Sequence, residues 1–520
     1  MDIATNADIC AETDRASVTK ASLTEDRQES ADRQESTGPA PNRPLIFVAA
    51  LSIIFMAAIE GTIVATAMPT IVGALGGIDL FSWIFGAYLL TQAVLIPIYG
   101  RLSDLYGRKA VLLFGIAVFL VGSVLCGLAW NMISLIAFRI VQGIGAGALV
   151  PVAQTVIADV YGGQARARVQ GYISSTFGSA AVIGPMIGGV IATHVSWKAI
   201  FWLNIPLGIV AAILLIIALK EEVKQRRHQI DYIGAMLMAL AITLIMMALI
   251  HADTFSDATL AGAFGVAALL LAALIFYESR ISEPMIQVRL YRNRLVAGGN
   301  WIGFTNGAIV MAIVGFLPVY MQGLLGSSAL ISGVALAALS VSMPFGGFVA
   351  SRLVFHMSYR VSSTMGGVIL TVGSLLLIWL HPGATPWQPI IATGTMGLGM
   401  GIMNVSSVVA IQANVDWSQR GAATSSIFFS RIIGQSFGSA LFGGIFNSGL
   451  ASRGSINGNE FVHLLQEGHA QIANIPGIAA ILDASAHALH SIYLLTGLIA
   501  VLMLAAALSF PPALRLLDER

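Results

Sequence analysis

Apolar runs of about 20 residues, separated by short polar breaks, recur from Leu45 to Phe510, and they leave this chain few folds to choose from. A run of that length crosses a hydrocarbon core of roughly 30 Å as an α-helix. Lipid offers the backbone no hydrogen-bond partners, so only helices and closed barrels can span it. The short alternating segments of a barrel are absent. Of the 520 residues, 57% are hydrophobic and only 10% are charged. A soluble chain of this length needs far more charge to cover its surface. The chain therefore reads as an all-α polytopic membrane protein.

About fourteen spans are expected, at 45–68, 81–100, 110–129, 132–158, 170–193, 199–219, 231–251, 258–277, 295–321, 330–351, 361–380, 388–411, 421–446 and 488–509. Loops after even-numbered spans carry Arg101, Arg108, Lys109, Arg166, Arg168, Lys220, Lys224, Arg226, Arg227, Arg280, Arg289, Arg292, Arg294, Arg352, Arg360 and Arg420. Loops after odd-numbered spans carry only Lys198 and Arg453. Basic loops stay in the cytoplasm, which puts the even loops and both termini there. One missed helix would invert the pattern downstream, so the charge bias also checks the count. Trp130, Trp197, Trp387 and Trp417 fall near span ends, where interfacial anchors belong.

Several classes of function drop out. A net charge of +1 makes no electrostatic case for nucleic acid. Cys10 and Cys126 form no disulfide framework and no metal pattern. No phosphate-binding G-x-x-x-x-G-K-[ST] loop is present, which argues against an ATP-driven pump. No cofactor, metal or catalytic chemistry is expected, and no signal peptide precedes the first span. Residues 1–43, with the repeat Asp26-Arg-Gln-Glu-Ser30 and Asp32-Arg-Gln-Glu-Ser36, read as a solvated disordered cytoplasmic tail. Residues 510–520 read as a second cytoplasmic tail.

The chain repeats itself weakly. Pro97-Ile-Tyr-Gly100 in span 2 corresponds to Pro344-Phe-Gly-Gly347 in span 10. Gly143-x-Gly145-x-Gly147 in span 4 corresponds to Gly397-x-Gly399-x-Gly401 in span 12, and Gly188-Gly189 to Gly443-Gly444. The expected organisation is a six-helix bundle over 44–219 and a second over 295–509. A linker with two inserted helices lies between them, over 220–294. A long outer loop covers 447–487; its histidines, His463, His469 and His487, with His490 beyond it, read as surface or interface residues. Two related bundles with a site between them is the architecture of an alternating-access carrier.

Glu60 is the one acidic residue inside a long apolar run. A carboxylate at that depth costs about 2.5–3.5 kcal/mol on insertion scales, so it marks a site that exchanges protons or binds a cation. Arg139, in span 4 of the same half, is its natural partner: a cation whose hold protonation or substrate would release. A static structural ion pair is the competing reading. Gly100-Arg-Leu-Ser-Asp104-Leu-Tyr-Gly107-Arg108-Lys109 joins spans 2 and 3, where two glycines allow a tight turn and Asp104 and Arg108 stand four apart. Gly178, Gly184, Pro185, Gly188 and Gly189 line span 5 and suit close helix approach with a kink at Pro185. Ser351 and Ala440 stand where Asp104 and Pro185 have their counterparts in the second half.

These segments carry a resemblance. The Gly100–Lys109 loop resembles the G-x-L-a-D-r-x-G-r-k loop of the major facilitator superfamily, and Arg139-Ile-Val-Gln142-Gly143 resembles its R-x-x-Q-G motif. Gly178 to Gly189 resembles the G-x(5)-G-P-x-x-G-G motif of its antiporters. Glu60-Gly-Thr-Ile-Val-Ala-Thr-Ala-Met-Pro69 is similar to the D-x-T-I-V-x-x-A-L-P segment of the 14-span drug:proton antiporters, with glutamate for aspartate. Trp197-Lys-Ala-Ile-Phe201-Trp-Leu-Asn204-Ile-Pro206 is similar to that family's W-x-x-x-F-x-x-N-x-P. The resemblance implies a major facilitator fold with two extra helices. It also implies proton coupling through Glu60 and Arg139, a gating loop made by Gly100, Asp104, Gly107, Arg108 and Lys109, and the proton gradient as energy source.

Polar and aromatic residues within spans nominate substrate contacts: Tyr88, Gln92, Gln142, Asn300, Trp301, Phe304, Asn306, Tyr320, Asn404, Phe428 and Arg431. For each aromatic, packing or lipid contact competes with that role. Arg431 is a second intramembrane arginine and needs a reason. Two arginines against Glu60 leave a cavity that is not strongly anionic. It suits neutral, monovalent cationic, zwitterionic or anionic amphiphiles better than dications. The expectation is a proton-coupled exporter of hydrophobic or amphiphilic compounds in a bacterial cytoplasmic membrane, its partners being substrate, protons and lipid. An exporter or permease of a metabolite or basic amino acid is the nearer alternative, and a non-transporting receptor of the same fold the more remote one. An adaptor protein is left open.

Overall fold

The computed structural model describes residues 42–77, 80–161, 163–219, 231–252, 254–281, 284, 288–381, 383–415, 417–451 and 478–510. The tail, the 220–230 linker and residues 452–477, with His463 and His469, lie outside the described residues. No strand occurs among the described residues. The helices are α1 Arg43–Leu75, α2 Phe81–Tyr106, α3 Arg108–Gly127, α4 Met132–Val160 and α5 Gly163–His194. A single turn, Lys198–Trp202, leads into α6 Asn204–Ala218. Then come α7 Tyr232–Ile250, α8 Asp257–Glu278, α9 Arg294–Val319, α10 Ala329–His356, α11 Tyr359–Ile378, α12 Trp387–Asn414, α13 Trp417–Ala451 and α14 Ile478–Leu508. Thirteen segments among the described residues are long and apolar enough to cross a membrane. α13, at 35 residues, is the fourteenth helix of spanning length.

Local chemistry sets many of the starts. Asn131 opens α4 with a capping box, accepting from the Ser134 amide at 2.7 Å while the Ser134 hydroxyl accepts from the Asn131 amide at 3.2 Å. Ser256, Ser328 and Ser358 cap α8, α10 and α11, and Asp231 caps α7. Two ends differ from expectation. α1 continues through Pro69 to Leu75, since a spanning helix packed on its neighbours tolerates proline. The expected 447–487 loop is helical at both sides, because α13 reaches Ala451 and α14 starts at Ile478. His487 lies on α14 and contacts Asp483 at 3.5 Å.

The two halves pack by one plan. α2 and α3 pack on α4, and α1 on α5 and α6; eight helices later α10 and α11 pack on α12, and α9 on α13 and α14. The glycine triads explain the match. Gly143 and Gly147 admit α2 while Gly145 admits α3. Gly397 and Gly401 admit α10 while Gly399 admits α11. α7 lies along α2 and α13, with Met246 Sδ accepting from Ser436 Oγ at 3.2 Å. α8 packs on α7 and exposes most of its surface.

The ends of the helices that carry Arg43, Arg108, Lys109, Arg294, Arg352 and Arg360 form a basic end. Toward the far end the halves meet along α2–α13 and α5–α10. Ser436 and Ser439 donate to the Gly86 and Ser82 carbonyls at 3.4 Å each, and Phe81 packs on Phe316 at 5.3 Å. A Cβ on Gly333 of α10 would stand 3.0 Å from Pro185 of α5.

Candidate functional site

Glu60 is fully buried in α1 and pairs with Arg139 of α4, itself 1% exposed. Five helices build this site. Asn204 of α6 donates to the second Glu60 oxygen at 2.5 Å. Arg139 Nη1 also donates to Gln142 Oε1 at 2.6 Å, and Arg139 Nε to the Ile84 carbonyl of α2 at 3.2 Å. Gln142 Nε2 in turn donates to Ser123 Oγ of α3 at 2.9 Å, which lies 3.4 Å from Asn204 Nδ2. Gln142 reaches Ser123 because Gly122 lets the two backbones touch; a Cβ there would stand 2.5 Å from the Gln142 backbone. The Arg139 guanidinium lies 4.1 Å from the Tyr88 ring centroid and 6.0 Å from that of Phe201. The buried charges are thus paired, hydrogen bonded and stacked, which is the condition for keeping them in a low-dielectric interior. The cluster thus holds one buried ion pair, with Asn204 on the free side of Glu60 and Gln142 and the Ile84 carbonyl on the free sides of Arg139.

The loop motif folds differently from a two-glycine turn. α2 runs on to Tyr106, so Gly100 and Asp104 are helical and Gly107 alone makes the turn. Its φ of 86° and ψ of 150° belong to glycine. Gly107→Ala is expected to cost about 1–3 kcal/mol, read as a lower apparent unfolding temperature of the purified protein. Arg108 pairs with Asp159 at the end of α4, and Lys109 donates to the Ile216 carbonyl of α6 at 2.8 Å. The side chain of Asp104 lies outside the described residues.

The span-5 motif has two faces. Gly184 and Gly188 receive α1: a Cβ on Gly188 would stand 2.9 Å from the Ile63 carbonyl, and Thr62 Oγ1 lies 3.4 Å from the Ala180 carbonyl. Gly178, Pro185 and Gly189 meet Pro344, Gly333 and Ala329–Leu330 of α10. α5 therefore links the helix of Glu60 to the opposite half. Gly188→Val is expected to overpack this seam by about 1–3 kcal/mol and to slow transport. Gly262→Val on α8, which has nothing within 4 Å, is the control.

Comparison with known proteins fits this geometry. The model of the Major Facilitator Superfamily matches residues 50–439. The chain belongs to the major facilitator superfamily. The multidrug transporter protein MdtP of Bacillus subtilis is 34% identical over 419 residues, covering 80% of this chain and 77% of that one. Multidrug resistance protein 3 of the same organism is 34% identical over 395 residues, covering 75% and 77%. Efflux pump FUS6 of Gibberella moniliformis is 30% identical over 416 residues, covering 78% and 74%. Among solved structures, a bacterial homolog of the human lysosomal transporter Spinster, inward-facing and unoccupied, superposes with a TM-score of 0.64 at 15% identity, over 91% of this chain and 97% of that one. The chain is thus an integral multi-pass membrane transporter of the superfamily, with multidrug and efflux-pump homologues.

The nominated substrate contacts separate into groups. Tyr88 and Gln142 belong to the Glu60 network, while Gln92 and Asn404 are half-buried on α2 and α12. Asn300 is tied between α9 and α13, donating to Ser426 Oγ at 2.9 Å and accepting from Ser430 at 2.7 Å. Tyr320 donates to the His381 carbonyl at 2.8 Å and packs on Tyr493, in a turn at the end of α9. Trp301 stacks near Phe304, and Phe304 packs on Phe437. Asn306 is two residues from Phe304, about 200° round the helix, so it faces away from this aromatic group.

Superfamily motifs pointed at the site incompletely. Asn204 stands in a quoted motif yet received no role, and Ser123 carried no signal at all. A serine in an apolar run is unremarkable until Gln142 is seen to touch it.

Proposed function

We propose that this transporter exports hydrophobic or amphiphilic compounds in exchange for protons, by alternating access. The observation that carries the reading is the buried Glu60–Arg139 pair with its Asn204 and Gln142 partners. Intramembrane charges are expensive, and a proton relay is a use that repays keeping them. Protonation removes Glu60's half of the pair, and Arg139 then leans on Gln142. α1 carries that change to α5 through Thr62 and the close approach of Gly184 and Gly188, and α5 touches α10 across the seam. The seams named above close the far end, which supports a state open toward the basic end. By the basic-loop bias, that end and both termini face the cytoplasm of a bacterial inner membrane. Arg108 with Asp159 and Lys109 with the Ile216 carbonyl are contacts inside the first half, which order the gating loop there rather than tie it to the second half. The multidrug and efflux names of the relatives support the substrate class.

The cycle runs as outward opening, protonation of Glu60, inward opening, proton loss and substrate capture. No cofactor takes part. Inside-out membrane vesicles with an imposed acidic interior test the proposal. Fluorescent amphiphiles of either charge sign, or none, should accumulate only while the gradient stands. Accumulation indifferent to the gradient would overturn proton coupling. A gradient dissipated only by a metabolite panel would overturn the amphiphile class and leave the carrier.

A further inference from the structure

The second half holds an intramembrane cation that the proton-coupling network does not use. On α13, Ser436, Ser439 and Gly443 meet α2; Phe429, Ile433 and Ala440 pack in the cluster built on α7; and Ile427, Gly434 and Gly438 meet α9. At about 100° per residue, the remaining sector lies between α9 and α2, on the side away from α7. It carries Phe428, Arg431 and Gln435. This is the face turned to the space between the halves.

Arg431 has no carboxylate and no hydrogen-bond partner among the described residues, and its Nε is buried without a partner. Its guanidinium carbon lies 5.3 Å from the ring centroid of Phe428, which is 38% exposed. Gly307 of α9 sits directly on the Arg431 carbonyl, which pins the Arg431 backbone to α9. A buried guanidinium nitrogen without a partner is exceptional at this depth, where such groups are normally paired. Glu60 cannot answer Arg431, since Arg139 and Asn204 already occupy both its oxygens.

We infer that Arg431 forms the recognition site for the anionic head of an amphiphilic organic acid, a carboxylate on an apolar body. The guanidinium fork matches a carboxylate in a bidentate pair. Phe428, exposed beside the guanidinium, contacts the apolar body. The inference names a substrate class for the exporter proposed above and rests on that reading for the direction of transport only.

The test uses the full chain in phosphatidylcholine nanodiscs with no proton gradient, titrated with 1-naphthylacetate and its neutral isostere 1-naphthylacetamide. The wild type is expected to bind the carboxylate at least about tenfold more tightly, the scale of a charge-assisted pair. Arg431→Gln is expected to bind both probes alike, at the wild-type affinity for the amide. Arg431→Lys should retain part of the preference. If Arg431→Gln does not fold, Arg431→Met, which keeps the length of the side chain without its charge, serves instead and should likewise bind both probes alike. A wild type that binds neither probe, or both equally, overturns the inference, as does an Arg431→Gln or Arg431→Met protein with the full preference. Because no gradient is present, failure of proton coupling leaves this readout unmoved. Loss of the charge preference likewise leaves gradient-driven export of neutral amphiphiles standing.

Discussion

Glu60→Gln is expected to leave the protein folded and able to bind substrate while abolishing gradient-driven accumulation. The side chain keeps its size and both its polar atoms. Its carbonyl oxygen can accept from Arg139, and its amide can donate to Asn204 once that side chain turns its oxygen inward. Arg139 loses its counter-charge but keeps its bonds to Gln142 and the Ile84 carbonyl, and no cavity opens, so the variant should lose less stability than one that removes either side chain. What is lost is the carboxylate proposed to carry the proton. Energised uptake into inside-out vesicles should fall to the background of vesicles without the protein. Exchange of labelled for unlabelled substrate, which needs no proton, should persist. Loss of both activities together would mean that Glu60 holds the structure rather than the coupling.

Arg139→Leu is the second large effect, and it falls on stability. Removing the cation strands a buried carboxylate, and breaking such a pair costs about 3–5 kcal/mol. The cation–π contact with Tyr88 and the Ile84 carbonyl bond go with it. The purified variant should unfold at a clearly lower temperature than the wild type. Combining it with Glu60→Gln should recover much of that loss, since no charge is then stranded. The double variant's departure from additivity measures the pair. Additive losses would show that the two residues act separately.

Most of the fold was legible because lipid permits so little else. The length of the apolar runs read out directly, and the matched glycine triads do take equivalent places, Gly145 against α3 and Gly399 against α11. Helix ends were less legible where the usual rules meet membrane packing. Pro69 looks like a stop and is not, since α1 is held on both sides by α5 and α6. At the site, Glu60 and Arg139 stood out by cost alone. Asn204 and Ser123 did not, because a small polar residue in a helix has many cheap uses and only its neighbours distinguish them. The aromatics were least legible: Phe304 and Phe428 look alike in sequence, and only the faces of α9 and α13 separate the one beside Phe437 from the one beside Arg431.

Substrate-driven proton release from the purified transporter tests the central claim most directly. In a weakly buffered solution, adding a transported amphiphile to the wild type is expected to release protons, in proportion to the fraction of protein occupied. Glu60→Gln, binding the same compound, is expected to release none. Equal release from both proteins would contradict the account, because the exchanged proton would then come from somewhere other than Glu60.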